Sequence, residues 1–238
     1  MNRTWRAALR LGLERAGLRP KRSFGLDALD LKLAEFLNRR KGFFVEAGAN
    51  DGLNQSNTAY FERYLGWRGI LIEPIPALAE QCRVNRPNAI VEQCALVPIG
   101  YSAKHIEMQY CNLISLVRGA RGSDTADAAH IRRGCEHLAS NDHVYKIDVP
   151  AKTLTKLLDE HNVQNIDLLS LDVEGFEAPA LRGLDFDRYR PAYILVEAND
   201  PTSVAEVLDH RYELRAKLSH HDYLYRARTG AATKPRLA

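Results

Sequence analysis

Short apolar runs recur along the chain and are separated by segments with the periodicity of amphipathic helices. Runs such as Ile70-Leu71-Ile72 and Ile194-Leu195-Val196 are uninterrupted, as in strands covered on both faces. Strands that alternate with helices need crossover connections, which predicts an α/β fold with a parallel sheet. The predicted strands are 43–47, 69–72, 89–92, 167–171 and 193–197, and the predicted helices are 57–65, 76–85, 155–161, 177–181 and 203–208.

The pattern changes in two places. Residues 212–218 and 223–226 alternate between apolar and polar side chains around the turn Ser219-His220-His221-Asp222, which predicts an antiparallel hairpin at the sheet edge. The sheet is then seven-stranded and mostly parallel. Between about residues 100 and 144 the periodicity is lost, and an irregular stretch of this length is typical of a functional lid or a mobile insertion, of which we favour the lid.

Composition and charge divide the chain further. Its 238 residues, 45% of them hydrophobic, suffice for one domain with a sizeable core. Residues 1–41 hold eleven Lys and Arg against four acids, a net +7, whereas the remainder carries −4. We therefore predict a basic N-terminal helical extension (1–41), a single domain (42–227) with the insertion at about 100–144, and a disordered tail (228–238).

The same data bear on partners and location. The overall charge of +3 does not indicate a nucleic-acid partner, and no apolar run reaches the length of about 18 residues that a membrane span needs. The basic segment favours a solvated helix, with weak contact to a membrane surface or an acidic partner as the alternative. Four cysteines without a C-x-x-C pair indicate reduced thiols and a cytoplasmic protein.

The strongest local signal is Phe43-Phe44-Val45-Glu46-Ala47-Gly48-Ala49-Asn50-Asp51-Gly52, an apolar strand that leads into a loop bracketed by two glycines. Gly48 and Gly52 allow tight turns and close approach of the backbone to a ligand, with Asn50 between them. Glu46 is placed at the carboxyl end of the strand, where open α/β sheets bind their ligands.

A second acid follows at the next strand tip. Glu73 comes 25 positions after Gly48 and is followed by Pro74. A carboxylate there is placed to accept hydrogen bonds from both ribose hydroxyls of a nucleoside.

The charge of the loop indicates which nucleoside it binds. The dinucleotide motif G-x-G-x-x-G is absent, and Glu46 and Asp51 would repel a pyrophosphate. Acids suit S-adenosylmethionine, which carries an ammonium and a sulfonium and no phosphate. Cys94 and Ala95, after the third strand, are small enough to lie against its adenine, although Cys94 fits an ordinary buried thiol equally well.

A second block, Leu171-Asp172-Val173-Glu174-Gly175-Phe176-Glu177, ends another apolar strand with acids. We assign Asp172 as the carboxylate near the reacting methyl group and as a proton acceptor. Asp172, Glu174 and Glu197 could together hold a divalent metal, but helix caps and substrate contacts explain them more simply, and Glu177 fits a cap best. No metal ligands are assigned, and neither His105 nor His143 is assigned as a base.

Taken together, the loop from Glu46 to Gly52, Ser56-Asn57-Thr58, Glu73-Pro74 and the acidic block from Leu171 to Glu177 resemble the FkbM-type S-adenosylmethionine-dependent methyltransferases. The resemblance implies a class I, Rossmann-like methyltransferase fold and methyl transfer to oxygen of a small-molecule, sugar or glycan acceptor. The residues leave two alternatives open: a non-catalytic nucleotide- or sugar-binding module, and an NAD-dependent oxidoreductase.

Overall fold

The computed structural model describes residues 12–14, 16–18, 21–111, 114–135 and 143–229. Its strands are β1 (Phe43–Ala47), β2 (Arg68–Ile72), β3 (Ile90–Glu92), β4 (Ala95–Leu96), β5 (His105–Tyr110), β6 (Leu116–Val117), β7 (Tyr145–Lys152), β8 (Leu168–Leu171), β9 (Tyr193–Glu197), β10 (Tyr212–Lys217) and β11 (Asp222–Ala227). Its α-helices are α1 (Leu29–Ala34), α2 (Pro76–Asn85), α3 (Asp124–Cys135), α4 (Leu154–Glu160), α5 (Glu177–Leu181) and α6 (Thr202–Leu208). Short 3-10 helices cover Leu26–Ala28 and Asp209–Arg211, and a π-helix covers Phe61–Leu65.

Seven strands form the central sheet, in the order β10-β11-β9-β8-β1-β2-β3. Strands β1, β2, β3, β8 and β9 are parallel to one another, and β11 is antiparallel to both β9 and β10. The predicted seven-stranded sheet with an antiparallel C-terminal hairpin is confirmed. The chain runs outward from β1 in one direction and from β8 in the other, so the carboxyl ends of β1 and β8 border the crevice where such sheets bind ligands.

Both faces of this sheet are buried. Alternate residues of β1 point to opposite sides, so that Phe44 joins one apolar cluster and Val45 the other. Helices α4, α5 and α6 cover the Val45 side. The Phe44 side is covered by the π-helix and by Leu29, Leu33 and Leu37, which places part of the predicted N-terminal extension inside the core of the domain.

The segment predicted to be irregular contains regular elements. Strands β4, β7, β5 and β6 form a second, four-stranded sheet in that order, and α3 follows β6. Antiparallel pairing of β5 with β7 sets Ile106 opposite Val149 and Met108 opposite Ile147. These side chains pack into a small apolar cluster of their own, which holds the second sheet together.

The predicted N-terminal helix and C-terminal tail lie largely outside the described residues. Within the described part, residues 12–14 are helical, and Glu14 is buried, where it accepts a hydrogen bond from the Tyr64 hydroxyl at 2.8 Å. In the part of the chain that the structure describes, no helix is both long enough and apolar enough to cross a bilayer.

Candidate active site

A cavity of about 290 Å³ opens at the carboxyl ends of the central strands. This is close to the lower end of the range for small-molecule sites. Strand tips supply Gly48, Glu73, Asp172 and Glu197 to its lining, and the second sheet supplies an apolar wall that includes Met108. Of the residues predicted for the site, the following line the cavity: Gly48, Asn50, Glu73, Cys94, Ala95 and Asp172.

The two glycines of the loop serve close packing. Gly48 has φ +82°, and a Cβ placed on it would lie 1.8 Å from the carbonyl oxygen of Asp172. Gly52 also has φ +82°, but it packs away from the cavity, where a Cβ would lie 3.0 Å from Cγ of Arg86 and 3.4 Å from Cys82. Gly48 therefore brings the loop onto the neighbouring strand tip, and Gly52 seats it on α2.

Glu73 and Asn50 are joined at the next strand tip. The backbone N–H of Asn50, a residue with φ +50°, donates to Oε2 of Glu73 at 2.9 Å, and the N–H of Ile75 donates to Oε1 at 2.9 Å. Burial raises the pKa of Glu73 to about 7, although these two hydrogen bonds oppose the shift. Each carboxylate oxygen accepts only one of these bonds, which leaves acceptor capacity for a ligand.

Glu46 does not line the cavity, contrary to the expectation that it faces the ligand. Its carboxylate accepts hydrogen bonds from the Ser56 hydroxyl, from the N–H of Asn57 at 2.7 Å and from the Thr58 hydroxyl at 2.5 Å. The Arg86 guanidinium lies 3.8 Å away, and both side chains are buried. Glu46 thus anchors the segment after the glycine loop.

Asp51 also acts inside the loop. Its Oδ1 accepts the backbone N–H groups of Leu53 at 2.8 Å and Asn54 at 2.7 Å, an Asx-type turn. The Asp51 carbonyl accepts from the Asn85 side chain at 2.8 Å. The Asp51 carboxylate was expected to face the ligand, but it stabilises the turn of the loop instead. Asp51 is not among the residues that line the cavity.

The cavity wall near β4 is apolar. Cys94 and Ala95 are buried, and Ile72, Leu78 and Leu96 line the same region. Burial raises the pKa of the Cys94 thiol to about 12, so the thiol is neutral and unreactive at physiological pH. These side chains offer a flat apolar ligand a surface without a competing charge.

Carboxyl groups gather at the tips of β8 and β9. Asp172, Glu174 and Glu197 all line the cavity here. Burial raises the pKa of Asp172 well above its usual range, and the charges of Glu197, Glu174 and Glu177 add to the effect. Glu174 instead pairs with the Arg121 guanidinium at 2.8 Å.

Glu177 has the structural role expected of it. Its Oε1 accepts the backbone N–H groups of Val173 at 3.1 Å and Gly175 at 3.0 Å, just ahead of α5. This carboxylate fixes the turn that carries Asp172 into the cavity.

Among the titratable residues that line the cavity, His221 was not assigned to the site by the sequence interpretation. His221 reaches the cavity because β11 pairs with β9 and sets Asp222 opposite Glu197. Its Nε2 lies 3.9 Å from Glu197 Oε2. The alternating pattern of residues 212–218 and 223–226 predicted the hairpin itself. It did not show that β11 would pair with β9, which is the pairing that brings His221 to the cavity. His105 and His143 do not line the cavity.

Comparison with known proteins decides the family. Residues 46–225 match the Methyltransferase FkbM domain, which covers most of the chain. The chain belongs to the FkbM methyltransferase family. The matched segment of this FkbM domain includes all nine residues predicted for the site, from Glu46 to Asp172. A search of curated proteins found no significant match.

Several solved methyltransferases are similar in structure, at low identity. Methyltransferase FkbM from Methylobacillus flagellatus KT is 13% identical, with a TM-score of 0.45 over 78% of this chain and 43% of that one. The FkbM domain described here thus spans less than half of the Methylobacillus protein. Precorrin-6y C5,15-methyltransferase from Geobacter metallireducens GS-15 is 12% identical, with a TM-score of 0.45 over 84% of this chain and 87% of that one. A TehB-like S-adenosylmethionine-dependent methyltransferase from Corynebacterium glutamicum ATCC 13032 Kitasato is 11% identical, with a TM-score of 0.42 over 94% of this chain and 97% of that one.

Proposed function

We propose that this FkbM domain transfers a methyl group from S-adenosylmethionine to a hydroxyl group of a sugar, glycan or natural-product acceptor. The observation that carries the proposal is the shared cavity of Glu73, the Gly48 loop and Asp172. A buried acid with free acceptor capacity, the backbone of the glycine loop and a second carboxyl group lie together at one edge of the sheet.

The residues present fit the methyl donor. Glu73 keeps acceptor capacity for ribose hydroxyls, and Gly48 holds the loop closely against the Asp172 strand tip at the edge of the cavity. Leu78 and Leu96 would border the adenine. The carboxyl groups of Asp172 and Glu197 suit a cationic ligand and oppose a pyrophosphate, so the same cavity disfavours NAD.

The bound donor would supply an activated methyl group, so that a C–O bond forms as the C–S bond breaks. The chain's own contribution is to align the acceptor and exclude water. Alignment alone is worth about 7–11 kcal/mol of the barrier in favourable cases. The apolar wall around Met108 and Val117 keeps water from the reacting groups. Asp172, in its ionised form, takes the proton that the acceptor hydroxyl loses.

Calorimetric titration tests the donor site without knowledge of the acceptor. We expect the full chain to bind S-adenosylmethionine and S-adenosylhomocysteine, and to bind NAD far more weakly. Glu73→Ala should abolish donor binding, whereas Glu80→Ala, on the exposed face of α2, should not. Absence of binding to either methyl-donor ligand would rule out the proposal, and preferential binding of NAD would favour an oxidoreductase.

Turnover separates an enzyme from a binding module. The protein is incubated with the methyl donor and a fractionated small-molecule extract, and products are screened by mass spectrometry for the gain of one methyl group. Methylation of a hydroxyl-bearing compound supports the proposal. Methylation confined to nitrogen or carbon would contradict the hydroxyl assignment.

A further inference from the structure

We infer that Glu197, His221 and Asp222 form a binding site for a divalent transition-metal ion at the edge of the cavity. Neither the sequence interpretation nor the family match assigns a metal to these residues. Metal binding at this site stands independently of the proposed methyl transfer. Only the role given to the ion below rests on that function.

The geometry of the three side chains is the first argument. One ligand atom from each of Glu197, His221 and Asp222 lies within 4.8 Å of the other two. Nε2 of His221 is 3.9 Å from Glu197 Oε2 and 3.7 Å from Asp222 Oδ2. Ligands bound at roughly 2.0–2.2 Å from one ion lie about 3–4 Å apart, so small side-chain adjustments bring all three onto a common ion.

The local charge is the second argument. Glu197 and Asp222 are two carboxyl groups close to each other, and Glu197 lines the same cavity as a third carboxyl group, that of Asp172. Within the described ranges, no lysine or arginine forms an ion pair with any of these three, and His221 lies beside Glu197 and Asp222. A divalent cation would supply the missing positive charge.

The ligands are also held in place by neighbouring groups. Nδ1 of His221 lies 2.7 Å from Nε2 of His220, which leaves the His221 Nε2 for the carboxylates. The Ser219 hydroxyl donates to Asp222 Oδ2 at 2.5 Å, and the β9–β11 register sets Asp222 opposite Glu197. Such outer contacts orient metal ligands in known sites.

The ligand set indicates the class of metal. One imidazole with two carboxylates suits Mn²⁺, Fe²⁺ or Zn²⁺, whereas Mg²⁺ and Ca²⁺ prefer oxygen ligands alone. Because Glu197 and His221 line the cavity beside Asp172, the ion would face the acceptor. If the proposed methyl transfer is correct, the ion would polarise the acceptor hydroxyl and ease transfer of its proton to Asp172.

The test is Mn²⁺ binding to the full chain, followed by electron paramagnetic resonance and by calorimetry. We expect one tight Mn²⁺ per chain and at least tenfold weaker binding in His221→Ala and in Glu197→Gln. The matched control is His210→Ala, because His210 also sits beside an acid, Asp209, but is exposed and outside the cavity. This control should bind Mn²⁺ like the wild type.

Folding of each variant is checked by circular dichroism and by urea unfolding, and S-adenosylhomocysteine binding is measured on the wild type. Binding of Mn²⁺ that is weak and equal in all variants would overturn the inference, as would Mg²⁺ affinity equal to that of Mn²⁺ and insensitive to His221→Ala. Failure of Mn²⁺ binding with intact S-adenosylhomocysteine binding would reject the metal site alone. Intact Mn²⁺ binding without S-adenosylhomocysteine binding would count against the proposed function alone.

Discussion

Glu73→Gln tests whether the acid at the tip of β2 is a buried carboxyl group whose charge serves a ligand. The Glu73 side chain is only 4% exposed, and burial raises its pKa from an ordinary value of 4.5 to about 7. The folded protein therefore binds this proton more tightly than the unfolded chain does. Stability is highest below the unfolded pKa and is lost as the pH rises through the folded pKa.

The size of the effect follows from these two pKa values. Between pH 5 and pH 8, titration of Glu73 lowers the free energy of unfolding by about 2.5 kcal/mol in total, with a slope of at most about 1.4 kcal/mol per pH unit. The glutamine side chain of the variant does not titrate, but its single carbonyl oxygen cannot satisfy the N–H groups of both Asn50 and Ile75. That loss costs about 1–3 kcal/mol at every pH. Relative to the wild type, the variant therefore gains about 2.5 kcal/mol from pH 5 to pH 8.

Urea unfolding at pH 5, 6, 7 and 8 measures this difference, with Glu80→Gln as the exposed control. Donor affinity gives a second readout. The ionised fraction of Glu73 rises from about one tenth at pH 6 to about nine tenths at pH 8, so S-adenosylhomocysteine should bind about tenfold more tightly at pH 8. The Glu73→Gln variant should bind it weakly and without that pH dependence.

Two results would refute the reasoning. A stability difference between wild type and Glu73→Gln that stays constant from pH 5 to pH 8 would show that the carboxyl is not a buried, titrating group. A wild-type affinity for S-adenosylhomocysteine that is flat from pH 6 to pH 8, with full affinity in the variant, would remove Glu73 from the donor site.

Three further substitutions have expected outcomes. Asp172→Asn should slow methyl transfer by about 10²–10⁴-fold while S-adenosylhomocysteine affinity, measured by calorimetry, stays unchanged; unaltered turnover would remove its role as proton acceptor. Gly48→Ala should lower both melting temperature and donor affinity, because its Cβ would lie 1.8 Å from a carbonyl oxygen. Gly66→Ala, with nothing within 4 Å, should cost only the backbone strain of about 1–2 kcal/mol, and equal effects would contradict the packing argument. Arg86→Met should cost about 3–5 kcal/mol in urea unfolding because it leaves buried carboxylates unpaired, whereas the exposed Arg83→Met should change stability little.

The central sheet could be predicted because its strands are continuous apolar runs, whose burial on both faces is a local property of the sequence. The second sheet was missed although β5 and β7 alternate apolar and polar residues. Ile106 and Met108 pair with Val149 and Ile147, which lie far along the chain beyond α3. That pairing depends on a non-local contact, which hydrophobic periodicity does not encode.

The candidate site divides in the same way. Glu73 and Asp172 could be placed at the cavity because each directly follows a strand that the sequence defines. Glu46 lies within its strand, and the alternation along β1 turns its side chain to the same face as Phe44, toward Arg86. His221 enters through the pairing of two antiparallel strands, so its neighbours could not be read from its own segment.

The contact of Gly48 with the Asp172 carbonyl joins two loops through their main chains, without a side chain between them. The N–H of Asp172 also donates to the Ala47 carbonyl at 3.1 Å. A displacement of one strand tip must therefore carry the other with it. The distance between the Gly48 loop and the Asp172 strand tip is thus set by backbone contacts. It does not depend on the rotamers of the surrounding side chains.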